Sequence, residues 1–476
     1  MGRDRVSISP HFTARLSFRL YCDHSGTADF PPFHNPSNMK LISALLLALA
    51  TFTPCVFAAD APPAGFTALF NGQDLAGWRG GDPATAIDHR ALLALPEDQR
   101  AAKIAEWTKT MREHWRAEGG ELINDGKGAY ATTEKDYGDF ELLVEYKTVP
   151  LADSGIYLRG VPQVQIWDST ETAKFKIGGD KGSGGLWNNS PGAPGKDPLV
   201  LADKPFGEWN KFRIVMVGSR VSVWLNEKQV VDHAILENYY DRKVAVPARG
   251  PIELQTHGGE IRWRNVFLRE IGGEEANKIL AANGGDAGFK SAWNGKDFEG
   301  WGGPVDNYEI VDGAIRCIAG KGGTIYAKEE VGDFVARVEF RVPAGGNNGL
   351  AIRYPGEGDT AYAGMCELQV LDNDSPTYAK LDARQYHGSA YGMAAAQRGY
   401  LRPAGEWNFQ EVTVKGSTIK VELNGSVILD TDLAKIDPAT FMANSPHPGK
   451  DRKSGFFGLA GHNDPVAFRA IRLRKL

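Results

Sequence analysis

Polar residues with catalytic potential occupy positions where a buried β-strand would carry apolar ones. Within residues 366–372, Glu367 and Gln369 share one face of an alternating pattern, and Asp372 follows at its end. A carboxylate can remove a proton from carbon, and an amide can hold a polar substrate in place. Such a strand either faces solvent or lines a cleft, and its position alone favours the solvent-facing alternative.

The same pattern occurs earlier in the chain. Gln163 and Gln165 share one face, and Asp168 follows at the end of the segment. Gln163 holds the position that corresponds to Glu367, and an amide cannot act as a base. The two segments therefore differ in the group that matters most for proton abstraction.

An arginine precedes each polar segment. Arg159 ends the run 154–159, and Arg353 ends the matching run 348–353. Beside a carboxylate and an amide, a guanidinium can bind sugar hydroxyls or a carbonyl oxygen through paired hydrogen bonds. The alternative is an internal Arg–Asp pair that only stabilises the fold.

Histidine and aromatic side chains complete the candidates. His257 and His462 hold matching places at strand ends, whereas His387 has no histidine counterpart in the earlier half. Histidine is the side chain best suited to proton transfer near neutral pH, although a lone histidine at a strand end is commonly structural. Trp187 and Tyr391 lie in matching loops, where they can stack on a sugar ring or cap the core.

The common catalytic signatures are absent from the sequence. It has no His-Glu-x-x-His, no paired Cys-x-x-Cys and no Gly-x-Ser-x-Gly. Two glycine-rich stretches, 178–185 and 320–324, lack the spacing of a phosphate-binding loop. Chemistry in this chain must come from residues that the fold brings together.

An internal duplication positions these residues. The stretch 65–78 returns as 288–301 with seven of fourteen residues identical, including the turn-forming Asn-Gly. The same order of motifs then follows in both halves, with Gly-Asp-Phe at 138–140 and 332–334, and Gly-Glu-Trp-Asn at 207–210 and 405–408. The two halves are expected to share one fold.

Period-two alternation predicts the class of that fold. Residues 140–147 and 334–341 alternate between apolar and polar side chains, as do shorter runs that end at Asn226 and Asn424. Runs of this length, broken by Gly, Asn and Pro, are typical of antiparallel sheets with one buried face. We expect an all-β protein with two sandwiches, each made of two facing sheets.

The first half carries an insertion over about 83–115. Ile104, Trp107, Met111 and Trp115 recur at spacings of three and four residues, which predicts an amphipathic helix. Its apolar stripe is expected to pack on a sheet, with a lid over a ligand as the alternative.

The chain divides into five segments. Residues 1–38 are expected to be disordered or a mis-called start, and 39–58 resemble a cleaved export signal because the apolar run is too short to span a membrane. The first sandwich is expected at 59–272, a linker at 273–287 and the second sandwich at 288–476. We therefore expect an exported protein, periplasmic or extracellular, with no membrane span after cleavage.

Charge excludes one class of partner. The formal net charge is 54 − 59 = −5, and removal of residues 1–58, with five basic and three acidic residues, gives 49 − 56 = −7. An acidic protein lacks the cationic contacts that dominate nucleic-acid affinity. Of the four cysteines, Cys317 and Cys366 follow the signal, and they can either pair or remain buried thiols.

With these residues in place, each half resembles the 3-keto-disaccharide hydrolase domain. The resemblance covers nearly all of the chain after the signal, and no single motif carries it alone. It depends on the order of the motifs, which are Phe-x₄-Asn-Gly-x-Asp-x₂-Gly-Trp, Ser-Gly-Ile-Tyr-Leu-Arg-Gly at 154–160, Val-Gln-Ile-Trp-Asp at 164–168, Gly-Glu-Trp-Asn at 207–210, and Leu-Gln-Thr-His-Gly at 254–258 with Arg264-Asn265. The resemblance implies concanavalin A-like jelly rolls, bacterial secretion and action on 3-oxo glycosides.

Each half departs from the family pattern. The family has a glutamate in the polar strand, which the second half keeps as Glu367 and the first replaces with Gln163. The second half in turn has Ala460 and Gly461 before its histidine, and Ala470 opposite Asn265. One half can therefore be catalytic while the other binds sugar or only packs.

The resemblance also implies a reaction. A ketone at C3 acidifies the C2 proton, so a base can form an enolate that expels the glycosidic oxygen, and water then adds to the enone. On this hypothesis Glu367 is the base and His387 or His462 is the acid or enolate donor. The residues expected to position the substrate are Arg353, Gln369 and Asp372, and, if the first half is active, Asp168 and His257 carry the reaction. A divalent metal could replace the histidine donor, but no ligand set is specific enough to name.

Two other functions stay open. A non-catalytic carbohydrate-binding protein of the lectin type is favoured by Gln163 and the aromatic loops, because one sandwich fold hosts both functions. A glycosidase acting on unoxidised sugars needs two carboxylates roughly 5–10 Å apart. Glu367 and Asp372 are the pair to consider, and their spacing on one strand neither supports nor excludes it.

Overall fold

A computed structural model describes residues 60–283, 285 and 287–476, and it has the predicted tandem β architecture. The segments 1–38 and 39–58, predicted to be a disordered start and an export signal, lie outside the described residues. Strand and helix labels follow chain order.

The first half contains thirteen strands and two helices. They are β1 Thr67–Ala68, β2 Trp78–Gly81, α1 His89–Ala94, α2 Glu97–His114, β3 Trp115–Glu118, β4 Glu121–Asn124, β5 Tyr130–Thr133, β6 Phe140–Thr148, β7 Asp153–Leu158, β8 Val161–Trp167, β9 Asn210–Val217, β10 Arg220–Leu225, β11 Lys228–Ile235, β12 Ile252–Leu254 and β13 Ile261–Glu270.

The strands of the first half form two antiparallel sheets. One has the order β11-β10-β9-β6-β13-β4-β3, with β1 paired to β13, and the other has the order β2-β5-β12-β7-β8. Alternate side chains of both sheets meet in one core, with Phe140 and Leu142 from β6 and Ile156 and Val164 from β7 and β8. The half is therefore a sandwich.

A helix joins the halves, and thirteen strands and one short helix follow it. These elements are α3 Gly273–Ala282, β14 Lys290–Ser291, β15 Trp301–Gly302, β16 Tyr308–Val311, β17 Ala314–Cys317, β18 Gly322–Ala327, β19 Phe334–Arg341, β20 Asn347–Tyr354, α4 Thr360–Ala363, β21 Cys366–Leu371, β22 Trp407–Lys415, β23 Thr418–Leu423, β24 Ser426–Asp432, β25 Phe456–His462 and β26 Ala467–Lys475.

The second half repeats the first strand for strand. Its sheets have the orders β16-β17-β26-β19-β22-β23-β24, with β14 paired to β26, and β15-β18-β25-β20-β21. Each strand number of the first half, increased by thirteen, gives its counterpart in the second. The predicted tandem all-β fold of two jelly-roll sandwiches is confirmed.

The helical insertion of the first half is confirmed as well, with one correction. α2 runs over Glu97–His114 and buries Met111, but Trp115 lies on β3 and not on the helix. Gly80 permits the helix to approach, since a Cβ there would lie 2.1 Å from the Trp107 carbonyl carbon. The apolar stripe therefore packs against β2, and the backbone NH of Gly80 donates to Thr108 Oγ1 at 3.0 Å.

Residues 273–282 of the predicted linker form α3, which packs on both halves. Leu280 is buried in a small core with Val215 and Val217 of the first half and Phe409 of the second. A second contact joins the halves directly, because Arg220 donates to both carboxylate oxygens of Glu422 at 2.8 and 2.5 Å. The connection between the sandwiches is a packed interface.

Two features bear on the remaining expectations. Cys317 and Cys366 are both buried free thiols, and burial raises the pKa of Cys317 to about 11. Among the helices of the described residues, none has both the length and the apolar character that crossing a membrane requires.

Candidate active site and its counterpart in the first half

The carboxylate of Glu367 lies on the outer face of the five-stranded sheet of the second half. On β21, Cys366 and Leu368 point into the core, so the alternation turns Glu367 and Gln369 outward. The neighbouring strand has a glycine at the closest point, where a Cβ on Gly349 would lie 2.1 Å from Glu367 Oε1. The missing side chain leaves the carboxylate room to lie flat across β20.

His462 completes an acid–base pair with this carboxylate. It ends β25, and its Nε2 lies 3.0 Å from Glu367 Oε1. The hydrogen bond to Glu367 raises the pKa of His462, and partial burial opposes this effect. The Glu367 side chain is only 4% exposed and that of His462 is 45% exposed, so the histidine presents the pair to a ligand.

Tyr391 lies beside the pair. Its backbone NH donates to Glu367 O at 3.0 Å, which places its loop along β21. Its hydroxyl accepts from Gln385 Nε2 at 3.1 Å, so the phenolic proton is left to be donated elsewhere. Burial raises the pKa of Tyr391, and the phenol stays protonated at neutral pH.

Gln369 is held by the neighbouring strand. Its Nε2 donates to Asn347 Oδ1 at 2.6 Å and to Asn348 O at 3.3 Å. The structure places Glu367, Gln369, His462 and Tyr391 together on this side of the sheet, and the sequence predicted the shared face for Glu367 and Gln369.

Sequence reasoning missed Asp359. This residue caps α4, where its side chain accepts from the backbone NH of Ala361 at 3.0 Å. After the hydrogen bond to Glu367, the nearby charges of Asp359 and Asp464 further raise the pKa of His462. An aspartate followed by a short helical segment is an N-cap signal, but nothing in the sequence places that helix beside His462.

The structure corrects the expectation for the two arginines. Arg353 is 1% exposed, and it donates to Gly332 O at 2.9 Å and to Asp333 Oδ1 at 2.8 Å. Arg159 is fully buried and donates to Asp139 Oδ1 at 2.7 Å. Both guanidiniums donate their hydrogen bonds to groups within the protein. Each arginine therefore forms a structural Arg–Asp pair and is not placed to bind substrate.

His387 also lies away from the site. It is 1% exposed, its ring stacks on Phe340 with centroids 4.9 Å apart, and its Nε2 donates to Gln410 Oε1 at 2.9 Å. Burial lowers the pKa of His387 to about 4, so it stays neutral. The expectation that it acts as acid or enolate donor is corrected, since it packs on the inner face of the other sheet.

The two strand-end aspartates hold loops. Asp372 Oδ2 accepts from the backbone NH of Gly345 at 2.8 Å, and Asp168 Oδ2 accepts from that of Leu151 at 3.0 Å. Asp168 also accepts from both the backbone NH and the hydroxyl of Thr170. These bonds shape the ends of β8 and β21, and the structure gives neither carboxylate a contact with the Glu367–His462 pair.

In the first half, the carboxylate has moved to the neighbouring strand. Gln163 on β8 replaces Glu367, and Asp153 at the start of β7, where it pairs with Trp167, replaces Asn347, which pairs with Leu371. Asp153 is bound by Lys174 Nζ at 2.9 Å and lies 3.4 Å from His257 Nδ1. His257 is therefore paired with a carboxylate that a lysine already neutralises, and its side chain is 60% exposed.

A cavity of about 410 Å³ lies over these residues in the first half. Trp187 forms part of its wall and meets Trp167 edge to face, with centroids 5.9 Å apart. Gln165 lines the same cavity and donates to Asp153 Oδ1 at 2.9 Å. The predicted binding residues Gln165 and Trp187 thus share one cavity with His257.

A second residue missed by sequence reasoning is Glu253. On β12 it lies opposite Tyr157 on one side and Thr132 on the other. Burial raises the pKa of Glu253 to about 7, and the charges of Arg79 and His89 oppose the rise. Its counterpart in the second half is a glycine, Gly458, so no repeated motif pointed to it.

A metal remains a prediction. Across residues 60–283, 285 and 287–476, no three His, Cys, Asp or Glu side chains are grouped so that they could hold an ion.

Fold and site together define a tandem jelly-roll protein with the Glu367–His462 pair on an outer sheet face of its second half. The family described as the 3-keto-alpha-glucoside-1,2-lyase-like domain matches residues 65–269 and 288–474, so the chain belongs to this family and carries two copies of its domain. The predicted family is confirmed, and at the level of the family so is an enzyme acting on glycosidic bonds.

Individual proteins resemble single halves of the chain. The 3-keto-disaccharide hydrolase of Bacteroides thetaiotaomicron is 29% identical over 229 residues, which cover 40% of this chain and 79% of that protein. A protein described as a candidate glycosyl hydrolase from Parabacteroides distasonis is 24% identical with a TM-score of 0.35, covering 40% of this chain and 99% of its own. A carbohydrate-binding module of Bacillus subtilis is 10% identical with a TM-score of 0.24, covering 40% and 96%. The fold assignment therefore depends on the sheets described above.

Proposed function

We propose that the second half cleaves 3-keto-glycosides by elimination across C1 and C2, with Glu367 as base. The observation that carries the proposal is the 3.0 Å contact between Glu367 Oε1 and His462 Nε2 on an outer sheet face. Membership of the 3-keto-alpha-glucoside-1,2-lyase-like family supports the choice of substrate.

The first step is proton abstraction. A carboxylate oxygen of Glu367 takes the proton from C2, and the electron pair of the C2–H bond becomes the C3 enolate. When the enolate collapses, a C1=C2 double bond forms and the C1–O bond breaks. The departing oxygen takes a proton from His462, for which Nδ1 is the nitrogen that faces away from Glu367. Addition of water across C1=C2 then gives the free 3-keto sugar.

The spacing of the pair suits two neighbouring reaction centres. The proton leaves C2 and the second proton arrives at the oxygen on the adjacent C1, so acid and base must lie close together. Addition of water resets both groups, because the free Nδ1 of His462 takes a proton from the attacking water and Glu367 returns its proton to C2.

Tyr391 is the donor that we assign to the enolate oxygen. Its hydroxyl accepts from Gln385, so its own proton can be aimed at a bound ketone. A donor aimed at developing negative charge is commonly the largest single contribution to such a reaction.

The first half lacks the same capability. Gln163 carries an amide in place of the base, and Asp153 is bound by Lys174 and His257. Two cationic partners lower the pKa of Asp153 despite its burial, which weakens it as a base. We therefore assign turnover to the second half alone.

Exchange in D₂O separates the two steps of the reaction. Methyl 3-keto-α-D-glucoside is incubated with the intact chain, and NMR follows both deuterium at C2 and release of methanol. We expect Glu367→Gln to abolish both signals, whereas His462→Gln retains exchange and loses most of the release.

Gln163→Leu in the first half is the matched control, and it should leave both rates unchanged. Normal exchange in the Glu367→Gln variant would contradict the role of the base. Equal cleavage of the unoxidised methyl glucoside would contradict the elimination.

Export and metal dependence also stay proposals. Mass spectrometry of the chain from the periplasm and the medium tests cleavage near residue 58. Activity after chelation and re-addition of divalent ions tests the metal.

A further inference from the structure

The cavity of the first half has the size and lining of a ligand site. Its volume of about 410 Å³ lies in the range of small-molecule pockets. Aromatic side chains form much of the wall, with Trp187 held by a hydrogen bond from its Nε1 to Ile177 O at 3.2 Å. Trp167 and Tyr239 lie on the same wall. Flat apolar surfaces of this kind stack on the faces of sugar rings.

An unpaired acceptor lies at the base of the cavity. Gln163 is 4% exposed, and its Oε1 has no hydrogen-bond partner within the described protein. The orientation of its amide is fixed by Gln165, whose Nε2 donates to Asp153 Oδ1 and Ser154 O. Gln165 Oε1 must therefore accept, and it does so from Gln163 Nε2 at 2.5 Å. Gln163 Oε1 lies over Gly155, which has no Cβ, and it has no donor among the described residues.

A second acceptor lies nearby. Gln255 is 5% exposed, and its Oε1 also has no partner among the described residues. Its Nε2 faces the hydroxyls of Tyr130 and Tyr157 at 3.4 and 3.3 Å. Both tyrosine hydroxyls also contact Thr85 Oγ1, at 3.3 and 2.9 Å. The wall thus presents buried acceptors backed by a hydroxyl network.

Buried polar atoms are normally satisfied, and a ligand that carries hydroxyl donors would satisfy these. We propose that the cavity of the first half is a non-catalytic binding site for an unoxidised saccharide. The inference does not depend on turnover in the second half.

The chemistry of the wall sets a preference between two forms of one sugar. A hydroxyl donates a hydrogen bond, whereas a ketone can only accept one. Acceptors such as Gln163 Oε1 and Gln255 Oε1 therefore favour a sugar with all its hydroxyls over the 3-keto form. The first half would then bind the unoxidised sugar, whereas the second half binds its 3-keto form.

Binding is tested on the intact Glu367→Gln chain, so that no ligand is consumed. The probes are immobilised α- and β-linked glucosides, galactosides, mannosides and xylosides, and calorimetry then measures the affinity of each that binds. We expect Trp187→Ala to weaken binding about tenfold or more and Trp187→Phe to restore most of it. Gln163→Leu should weaken binding about tenfold through loss of one hydrogen bond.

Phe206→Ala, an exposed aromatic outside the cavity lining, is the matched control and should leave the affinity unchanged, whereas Tyr391→Ala reports binding in the second half. Circular dichroism and melting temperature confirm that each variant is folded. The proposal is overturned if no probe binds, if Trp187→Ala and Gln163→Leu both bind normally, or if Tyr391→Ala alone abolishes binding. Equal affinity for the 3-keto form of a bound probe would overturn the stated preference.

Discussion

Arg353 donates from Nη2 to Asp333 Oδ1 at 2.8 Å, and the same carboxylate oxygen accepts from the backbone NH of Gly416 at 2.8 Å. The other nitrogens of the guanidinium donate to the carbonyl oxygens of Gly332, Gly416 and Arg452. This buried side chain thus ties together four segments of the second sandwich, and its counterpart in the first, Arg159, does the same with Asp139.

We expect Arg353→Met to lower the free energy of unfolding by about 1.5–3 kcal/mol, because three carbonyls and a partly exposed carboxylate lose their charged donor. Chemical denaturation measures the change, with the exposed Lys453→Met as control. The rate per folded molecule should stay normal. If Arg353→Met folds with full stability but does not cleave the substrate, Arg353 acts in the active site and the structural assignment is wrong.

The rate should depend on the protonation of His462. Because Glu367 raises the pKa of this histidine, cleavage should fall on the alkaline side at a midpoint above the ordinary value of about 6.5. The Glu367–His462 pair also stabilises the folded state with the same pH dependence. This contribution is full below about pH 6.5 and is lost as pH rises through the folded-state pKa of His462. Aglycone release measured across pH tests the midpoint.

The comparison for this profile is His462→Gln, which should be slower and should lack the alkaline decline. An unchanged decline in this variant would assign the titration to another group.

Glu253 should make the protein less stable as pH rises. Its pKa goes from 4.5 to about 7 on folding, so the folded state holds a proton that the unfolded chain releases. The stabilisation is full below pH 4.5 and is lost as pH rises through 7. Glu253→Gln should therefore gain in melting temperature relative to the natural chain between pH 5 and pH 8, whereas the exposed Glu118→Gln should not. A constant difference across pH would contradict the shift.

Leu280 should couple the unfolding of one sandwich to that of the other. Truncation to alanine removes most of a buried side chain from the core that Val217 and Phe409 share with it, at a cost of about 2–5 kcal/mol. Calorimetry should show a single transition in the natural chain that broadens or splits in Leu280→Ala. Lys278→Ala, on the exposed side of the same helix, is the control.

Alternation of apolar and polar residues in the sequence was sufficient to predict the fold and part of the site. It correctly placed Glu367 and Gln369 on the face opposite the core, because β21 is a regular strand. The duplication then predicted a second copy of every strand, since each motif recurs in the same order.

The arginines show where this reasoning fails. Continued alternation would place Arg353 on the outer face with Gly349 and Ala351, but the register shifts between Ala351 and Tyr354, and Arg353 has φ of 47°. This bulge turns the side chain inward, and no residue type at these positions predicts a bulge. The recurring Gly-Asp-Phe was the available signal, since its aspartate supplies the partner in both halves.

Asp359 and Glu253 were missed for a different reason. Neither recurs in the other half, and each reaches its neighbours through tertiary packing, Asp359 from the cap of α4 and Glu253 from an adjacent strand. Contacts of this kind follow from the fold and not from spacing along the chain.

The packed helix α3 sets a length requirement for any polymer that engages both halves. With Leu280 in a shared core and Arg220 bound to Glu422, contacts between the described parts of the two halves fix the separation of the two sheet faces. A glycan long enough to span them would bind its second face at a high effective concentration and so gain avidity, whereas a shorter one would gain none. Avidity should therefore rise at one threshold of chain length.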